Sequence, residues 1–261
     1  EVRLQVTDLS VRSDQSRGTD IDSVSFSVRA GEILAIAGIA GNGQIELMNA
    51  LSGETGPPRS GSIRMLDTEA GALTPVARRQ LGAVFVPEER IGQAAVSDLN
   101  LVQNSFLTSA DRLGFVSYGL VNWAEVEHYA QEILQRFDVK AAGTAALANS
   151  LSGGNLQKFI VGREILQQPQ LLVVSQPTWG VDAGAAAAIH EQIQGLVSAG
   201  AGALIISQDL DEIFALCDRI AVISQGTLSE PQLASDITTQ EVGLLMGASR
   251  DRMESLSHAG A

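Results

Sequence analysis

Apolar and polar residues alternate along Val24-Ser25-Phe26-Ser27-Val28, the period of a strand with one covered face. Arg29-Ala30-Gly31 turns that strand into Glu32-Ile33-Leu34-Ala35-Ile36-Ala37, a nearly continuous apolar run of the kind found in central strands. Glycines follow at 38, 41 and 43, and apolar residues then recur at helical intervals from Gln44 to Leu51. The unit reads as strand, glycine loop, helix. Gly61–Met65 and Ala83–Val86 predict two further short strands, the second stopped by Pro87.

Between about Gln93 and Leu151 the strand pattern disappears, and Leu99–Leu107 and Trp123–Phe137 have helical spacing. This stretch predicts a helical lobe inserted into a sheet domain. Helices are then expected from Leu156 to Leu166, ended by Pro169, from Ala185 to Val197 and from Leu210 to Leu216. They alternate with apolar strands at Leu171–Val174, Ala203–Ile206 and Ile220–Ile223. Strands alternating with helices imply an α/β fold with a mostly parallel sheet and flanking helices. The expected organisation is a core lobe of about 1–92 and 152–247, a helical subdomain of about 93–151, and a loose tail over 248–261.

Composition narrows the class. Hydrophobic content of 45% and 26 glycines suit a compact α/β protein with many tight loops, and 4% aromatics leave the core to Val, Ile, Leu and Ala. A net charge of −13 argues against a nucleic-acid partner and against adsorption to anionic lipid. The single cysteine, Cys217, excludes an internal disulfide and sits in an apolar stretch, as a packed thiol does. No apolar run approaches the ~18 residues of a membrane span. The chain begins at Glu1 without a methionine, which suggests a piece of something longer.

Gly38-Ile39-Ala40-Gly41-Asn42-Gly43-Gln44-Ile45 has the frame of a phosphate-binding loop, G-x-x-x-x-G-K-[ST]. Glycines let such a loop aim backbone N–H groups at phosphate, and the helix start adds partial positive charge. Taken alone, the same frame also fits a glycine turn that closes strand onto helix. Its last two places depart from the pattern: Gln44 removes the cation, and Ile45 removes the hydroxyl that would bind Mg²⁺. Leu151-Ser152-Gly153-Gly154-Asn155, followed by Leu156-Gln157-Lys158, puts a hydroxyl and N–H groups at the start of the next helix. A serine–glycine helix cap is the plainer reading of that loop.

Leu151–Asn155 resembles the signature loop of ABC transporter ATP-binding domains, and the motifs fall in that family's order from about Leu4 to Gly247. The likeness is greatest to the C-terminal, degenerate ATP-binding domain of tandem ATPase subunits of simple-sugar and nucleoside importers. It rests on Gly41-Asn42-Gly43-Gln44, Pro87-Glu88-Glu89-Arg90, Ser152-Gly153-Gly154-Asn155, Gln176-Pro177-Thr178 and Ser207-Gln208-Asp209. The resemblance implies a P-loop NTPase-type sheet with an antiparallel β region near the N-terminus and an inserted helical subdomain. It also implies that Ser175 and Gln176 stand where the family ends a strand in Asp-Glu. Gln208 stands at the switch histidine and Glu88 at a Mg²⁺-sensing glutamine.

Gly38, Gly41, Asn42, Gly43, Gln44 and Ile45 would then bind nucleotide weakly, and the chain's own site is expected to be catalytically silent. Loss of a general base alone costs about 10²–10⁴ in rate. Leu151, Ser152, Gly153, Gly154 and Asn155 would instead contact ATP held by a partner, with Asp182 as an interface acid. Trp179 replaces a common arginine, Leu156 a frequent glutamine, and no aromatic lies near Val11–Ser16, where adenine usually stacks. The implied cofactors are ATP, weak at the own site and shared at the partner's, and Mg²⁺ with the partner site. The implied partners are an intact N-terminal ATP-binding domain of the same or a related polypeptide, transmembrane permease subunits and, indirectly, a solute-binding protein. The implied place is the cytoplasmic face of the cell membrane. A pseudo-ATPase acting as a regulatory or scaffolding module, without transport, is the alternative reading.

Overall fold

The computed structural model describes residues 1–16 and 18–248. The chain opens with β1 (Val2–Val11), β2 (Ile21–Arg29) and β3 (Ile33–Ala37), then α1 (Gln44–Ser52), β4 (Ser60–Met65), β5 (Thr68–Glu69), α2 (Pro75–Leu81) and β6 (Ala83–Val86). Next come α3 (Leu101–Ser109), β7 (Val116–Ser117), β8 (Leu120–Val121), α4 (Trp123–Arg136) and α5 (Gly153–Ile165). The chain continues through β9 (Leu171–Ser175), α6 (Ala183–Ser198), β10 (Gly202–Ser207), α7 (Leu210–Leu216) and β11 (Arg219–Ser224). It closes with β12 (Thr227–Leu228), β13 (Gln232–Leu233) and α8 (Thr239–Met246).

The main sheet runs β12-β11-β3-β10-β9-β6, with β13 on β11. β11, β3, β10, β9 and β6 are parallel, and β12 and β13 pair antiparallel at one edge. Every residue of β3, β9 and β10 is buried, which is why these strands read as unbroken apolar runs. The pleat divides them between two cores. Ile33, Ala35, Leu172, Val174 and Ile205 face the side covered by α5–α8, while Leu34, Ile36, Val173 and Leu204 face α1 and the antiparallel sheet β2-β1-β4-β5.

α4 buries Val126, Tyr129, Ala130 and Ile133, the stripe of an amphipathic helix. α5 packs against α3 and α4 on one side and against β6 and α6 on the other. Three expectations are corrected. The stretch 93–151 is not free of strands: β7 and β8 pair as a hairpin, with Tyr118 and Gly119 both at positive φ in a two-residue turn. α5 begins at Gly153 and not near Leu156, because Ser152 caps it by accepting from Asn155 N at 3.4 Å. Of the tail expected to be loose, 249–261 lies outside the described residues, while Ala248 is buried and accepts a hydrogen bond from the Ser224 hydroxyl at 2.8 Å.

Cys217 caps the end of α7, and burial pushes its thiol far above the usual range. No helix among the described residues is long and apolar enough to cross a membrane.

Candidate functional site

The end of β3 delivers the chain into the glycine loop, and α1 begins at Gln44. The loop is stitched on its outer side. Gly226 N donates to Asn42 O at 3.0 Å, Gln225 N to Asn42 Oδ1 at 3.0 Å, and the Thr19 hydroxyl to Gly41 O at 2.7 Å. It is also closed from within: Asn42 N donates to Gln44 Oε1 at 3.0 Å, and Gln44 Nε2 donates to Ile39 O at 2.8 Å. Gln44 is buried in this position. Gly38 leaves room for it, since a Cβ there would lie 2.7 Å from Gln44 Nε2 and 2.6 Å from Ile223 Cγ2.

The first turn of α1 carries no cation. It carries Glu46, whose Oε1 accepts from Thr19 N at 2.9 Å and from the Ser13 hydroxyl at 2.9 Å. Ile45 lines a cavity of ≈ 410 Å³ shared with Gln15, Met48, Glu88, Ser175 and Trp179. Gln176 lies at positive φ just beyond β9, and its side-chain Oε1 accepts from the Ser207 hydroxyl at 3.4 Å. Gln208 follows β10 and is half-buried. Among the described residues no three His, Cys, Asp or Glu side chains are grouped to hold a metal ion.

The second loop is built differently. Leu151 is half-buried against the core, whereas Ser152 and Gly153 are exposed at the start of α5. Asn155 braces the turn: its Nδ2 donates to Ser152 Oγ at 2.9 Å, and its Oδ1 accepts from Lys140 N at 2.9 Å. A Cβ on Gly153 would come within 2.8 Å of Arg90 Nη1, so the bare backbone lets the guanidinium lie against the first turn. Gly154 faces Gly180 O in the loop that leads to α6. Asp182, the candidate interface acid, caps α6 through Ala185 N at 3.0 Å, and that bond holds its carboxyl below the ordinary range. Trp179 is exposed in the same loop.

Three polar clusters escaped the sequence reading. Glu212 is buried and accepts from the Thr178 hydroxyl at 2.6 Å and the Ser207 hydroxyl at 2.8 Å, with His190 Nε2 3.1 Å away. Glu164 on α5 is fully buried and meets Arg79 at 2.7 Å, Arg163 at 2.9 Å and the Thr108 hydroxyl at 2.8 Å. Burial alone would raise the Glu164 carboxyl, but the charges of Arg79 and Arg163 and the Thr108 bond outweigh it and hold it below the usual range. Arg90 reaches Gln157 and the Trp179 carbonyl.

A parallel strand feeding a glycine loop, with a serine–glycine helix start in the second half of the chain, is accompanied by a sequence match. The profile of the ABC transporter family covers residues 21–179. The chain belongs to the ABC transporter family of ATP-binding domains. This ABC domain is 38% identical over 247 residues to the nucleoside import ATP-binding protein NupA of Lactococcus lactis subsp. cremoris, covering 94% of this chain and 48% of the relative. It is 36% identical over 238 residues to the guanosine import ATP-binding protein NupO of Bacillus subtilis, covering 91% and 46%. It is 34% identical over 239 residues to the ribose import ATP-binding protein RbsA of Pseudomonas putida, covering 91% and 46%.

The ABC domain thus spans about half the length of the curated relatives it matches. Its fold agrees with that of an ATP-binding subunit of an ABC transporter, with a TM-score of 0.74 at 24% identity over 98% of this chain and 99% of the other. It agrees also with a dimeric ATP-binding cassette in a post-hydrolysis state bound to ADP and Pi, with a TM-score of 0.73 at 19% identity over 88% of this chain and 98% of the other. The α/β architecture, with its antiparallel N-terminal sheet, is therefore the ABC ATPase fold. Members of this family bind ATP with Mg²⁺.

Proposed function

We propose that this chain is the catalytically degenerate half of an ATPase that drives import of a simple sugar or nucleoside. Its contribution to hydrolysis is the signature loop it offers to ATP held by a partner domain. The observation that carries this reading is the contrast between the two glycine loops. Gln44 already occupies the interior of residues 38–44, while Ser152 and Gly153 stand open at a helix start. The import functions in the names of NupA, NupO and RbsA support the transport class.

The residues of the own site do not fit a magnesium–triphosphate. Asn42 N is taken up by Gln44 Oε1 and Ile39 O, the nearest charge on the first turn is the Glu46 carboxylate, and Ser175 and Gln176 supply no carboxylate for a metal or a water. No hydrolytic step is assigned there. In the partner's site, the Ser152 hydroxyl and the N–H groups of the first turn of α5 would meet developing negative charge on phosphate oxygens. Leu151, Gly154 and Asn155 shape that turn. The helical subdomain of 93–151 and the core lobe of 1–92 and 152–247 would move as the pair closes, with permease subunits docked near Glu88 on the cytoplasmic face of the membrane. The chain would represent the C-terminal half of a tandem subunit, and a solute-binding protein would act upstream of the permease.

Phosphate release from this chain alone, with Mg²⁺ and saturating ATP, is expected to be absent. Turnover abolished by Gln176→Ala would overturn the silent-site reading. In the assembled transporter, Gly153→Asp is expected to lower ATP turnover by about 10²–10³, the range for losing a preorganised charge-stabilising group. Undiminished uptake by that variant would remove the signature from the mechanism.

A further inference from the structure

The segment that leaves β6 and the helix that carries the signature are joined by one side chain. Arg90 Nε donates to Gln157 Oε1 at 2.8 Å, and Arg90 Nη2 donates to Trp179 O. Gln157 is buried one turn into α5, and its Nε2 donates onward to Gln176 O at 3.2 Å and Pro177 O at 2.9 Å. Three segments thus converge on one amide and one guanidinium: residues 87–90, the first turns of α5, and the loop after β9. Glutamine is the residue type this requires, since it must accept from the arginine while donating to two carbonyls. Arginine is required too, because two divergent N–H directions must be held at once.

The backbone of the segment is pinned as well. Ala95 N donates to Arg90 O at 2.7 Å, and Ala94 O accepts from Arg163 Nη2 at 2.8 Å, six residues further along α5 than Gln157. The stretch 87–95 therefore holds α5 at two points along its length. Only the Arg90 contact lies beside Gly153, where a Cβ would be 2.8 Å from Nη1.

We propose that Arg90 is a positioning residue for the signature loop, clamping α5 to the 87–90 segment and the 177–181 loop so that Ser152 and Gly153 are presented to a partner's ATP. The clamp ties the Glu88 side of the molecule, which lines the cavity of the own site, to the surface offered in trans. A change in the 87–90 segment is transmitted to the signature through this guanidinium, and the signature turn in turn holds the segment. The inference rests on the reading that the signature acts on ATP held by a partner.

The test uses the assembled transporter, with Mg-ATP as the probe, and the variants Arg90→Lys, Arg90→Gln and Gln157→Leu. Each is expected to lower kcat for ATP by roughly tenfold or more, the cost of small misplacement of a catalytic group, with KM changed by less than about twofold. The double variant Arg90→Gln/Gln157→Leu is expected to be no worse than the poorer single, because both remove the one bond from Arg90 to residue 157. Arg90→Lys keeps the charge and loses the fork, so it is expected to resemble Arg90→Gln in kcat while melting with the wild type. The proposal is overturned by wild-type kcat in Arg90→Gln, by additive losses in the double variant, or by kcat loss that follows melting temperature across the series. Gly153→Asp is run beside them. If it keeps full turnover, the signature reading itself fails; if it is inactive while Arg90→Gln is normal, only the clamp fails.

Discussion

The two glycine loops share a plan and differ in where their polar groups go. Both precede a helix, and both place small residues where the chain enters it. At residues 38–46 the side chains turn inward: Gln44 binds the loop's own backbone, and Glu46 gathers Thr19 and Ser13. At residues 151–155 Asn155 braces the turn and the Ser152 oxygen caps it, while Ser152 and Gly153 are left at the surface. A helix start is thus an opening for an anion only when its own sequence leaves the donors free. Gln44 shows how one side chain can take up a glycine loop's own backbone groups.

The comparison can be broken most severely from underneath the signature helix. Glu164→Ala leaves Arg79 and Arg163 without their shared buried carboxylate, and is expected to cost about 3–5 kcal/mol in urea unfolding. The same site gives the fold an acid limit. The carboxyl is held below its ordinary range in the folded chain, so its contribution is complete above about pH 4.3 and is lost as pH falls through the lower folded value. Glu164→Gln is therefore expected to flatten the acid side of a stability–pH curve, and an unchanged slope would contradict the assigned cause.

A gentler change addresses the closed loop. Gln44→Lys removes the shorter of the two internal acceptors of Asn42 N and returns a cation, and is expected to raise the chain's affinity for ATP by about tenfold in a calorimetric titration. Turnover should stay absent, because Ser175 and Gln176 are untouched. An affinity equal to wild type would mean that Gln44 does not keep the loop closed. The smallest effect is expected at the open loop. Ser152→Ala removes the cap of α5 and should lower stability by about 1 kcal/mol in urea unfolding.

The parallel strands of the main sheet were legible because burial on both faces makes them continuous apolar runs, and α7 keeps the bounds its spacing suggests. β1 was missed for a physical reason. Leu4 and Val6 are buried, Asp8 takes φ 48°, and burial resumes at Leu9 and Val11, so the two-residue period changes phase midway. α2 and α8 were missed as well, their apolar content being short, although Thr74-Pro75 and the Thr238–Glu241 capping box mark their starts. The hairpin at 116–121 has strands of two residues, too short to show any period.

The glycine frames were readable because each is contiguous. What their side chains do was not. Arg90 finds Gln157 67 positions away and Trp179 89 positions away, and Glu212 meets Thr178 across 34. Gln44 bonds within its own loop, yet nothing in the letters separates an amide turned inward from one turned toward a ligand.

Cys217 gives the molecule a clock. The sulfur is the chain's only thiol, lies buried where α7 gives way to β11, and resists ionisation there. A thiol-directed reagent reaches it only after that edge of the sheet opens, so the labelling rate counts openings and not surface chemistry. Opening at the α7–β11 edge can thus be timed on the native chain, with no residue changed.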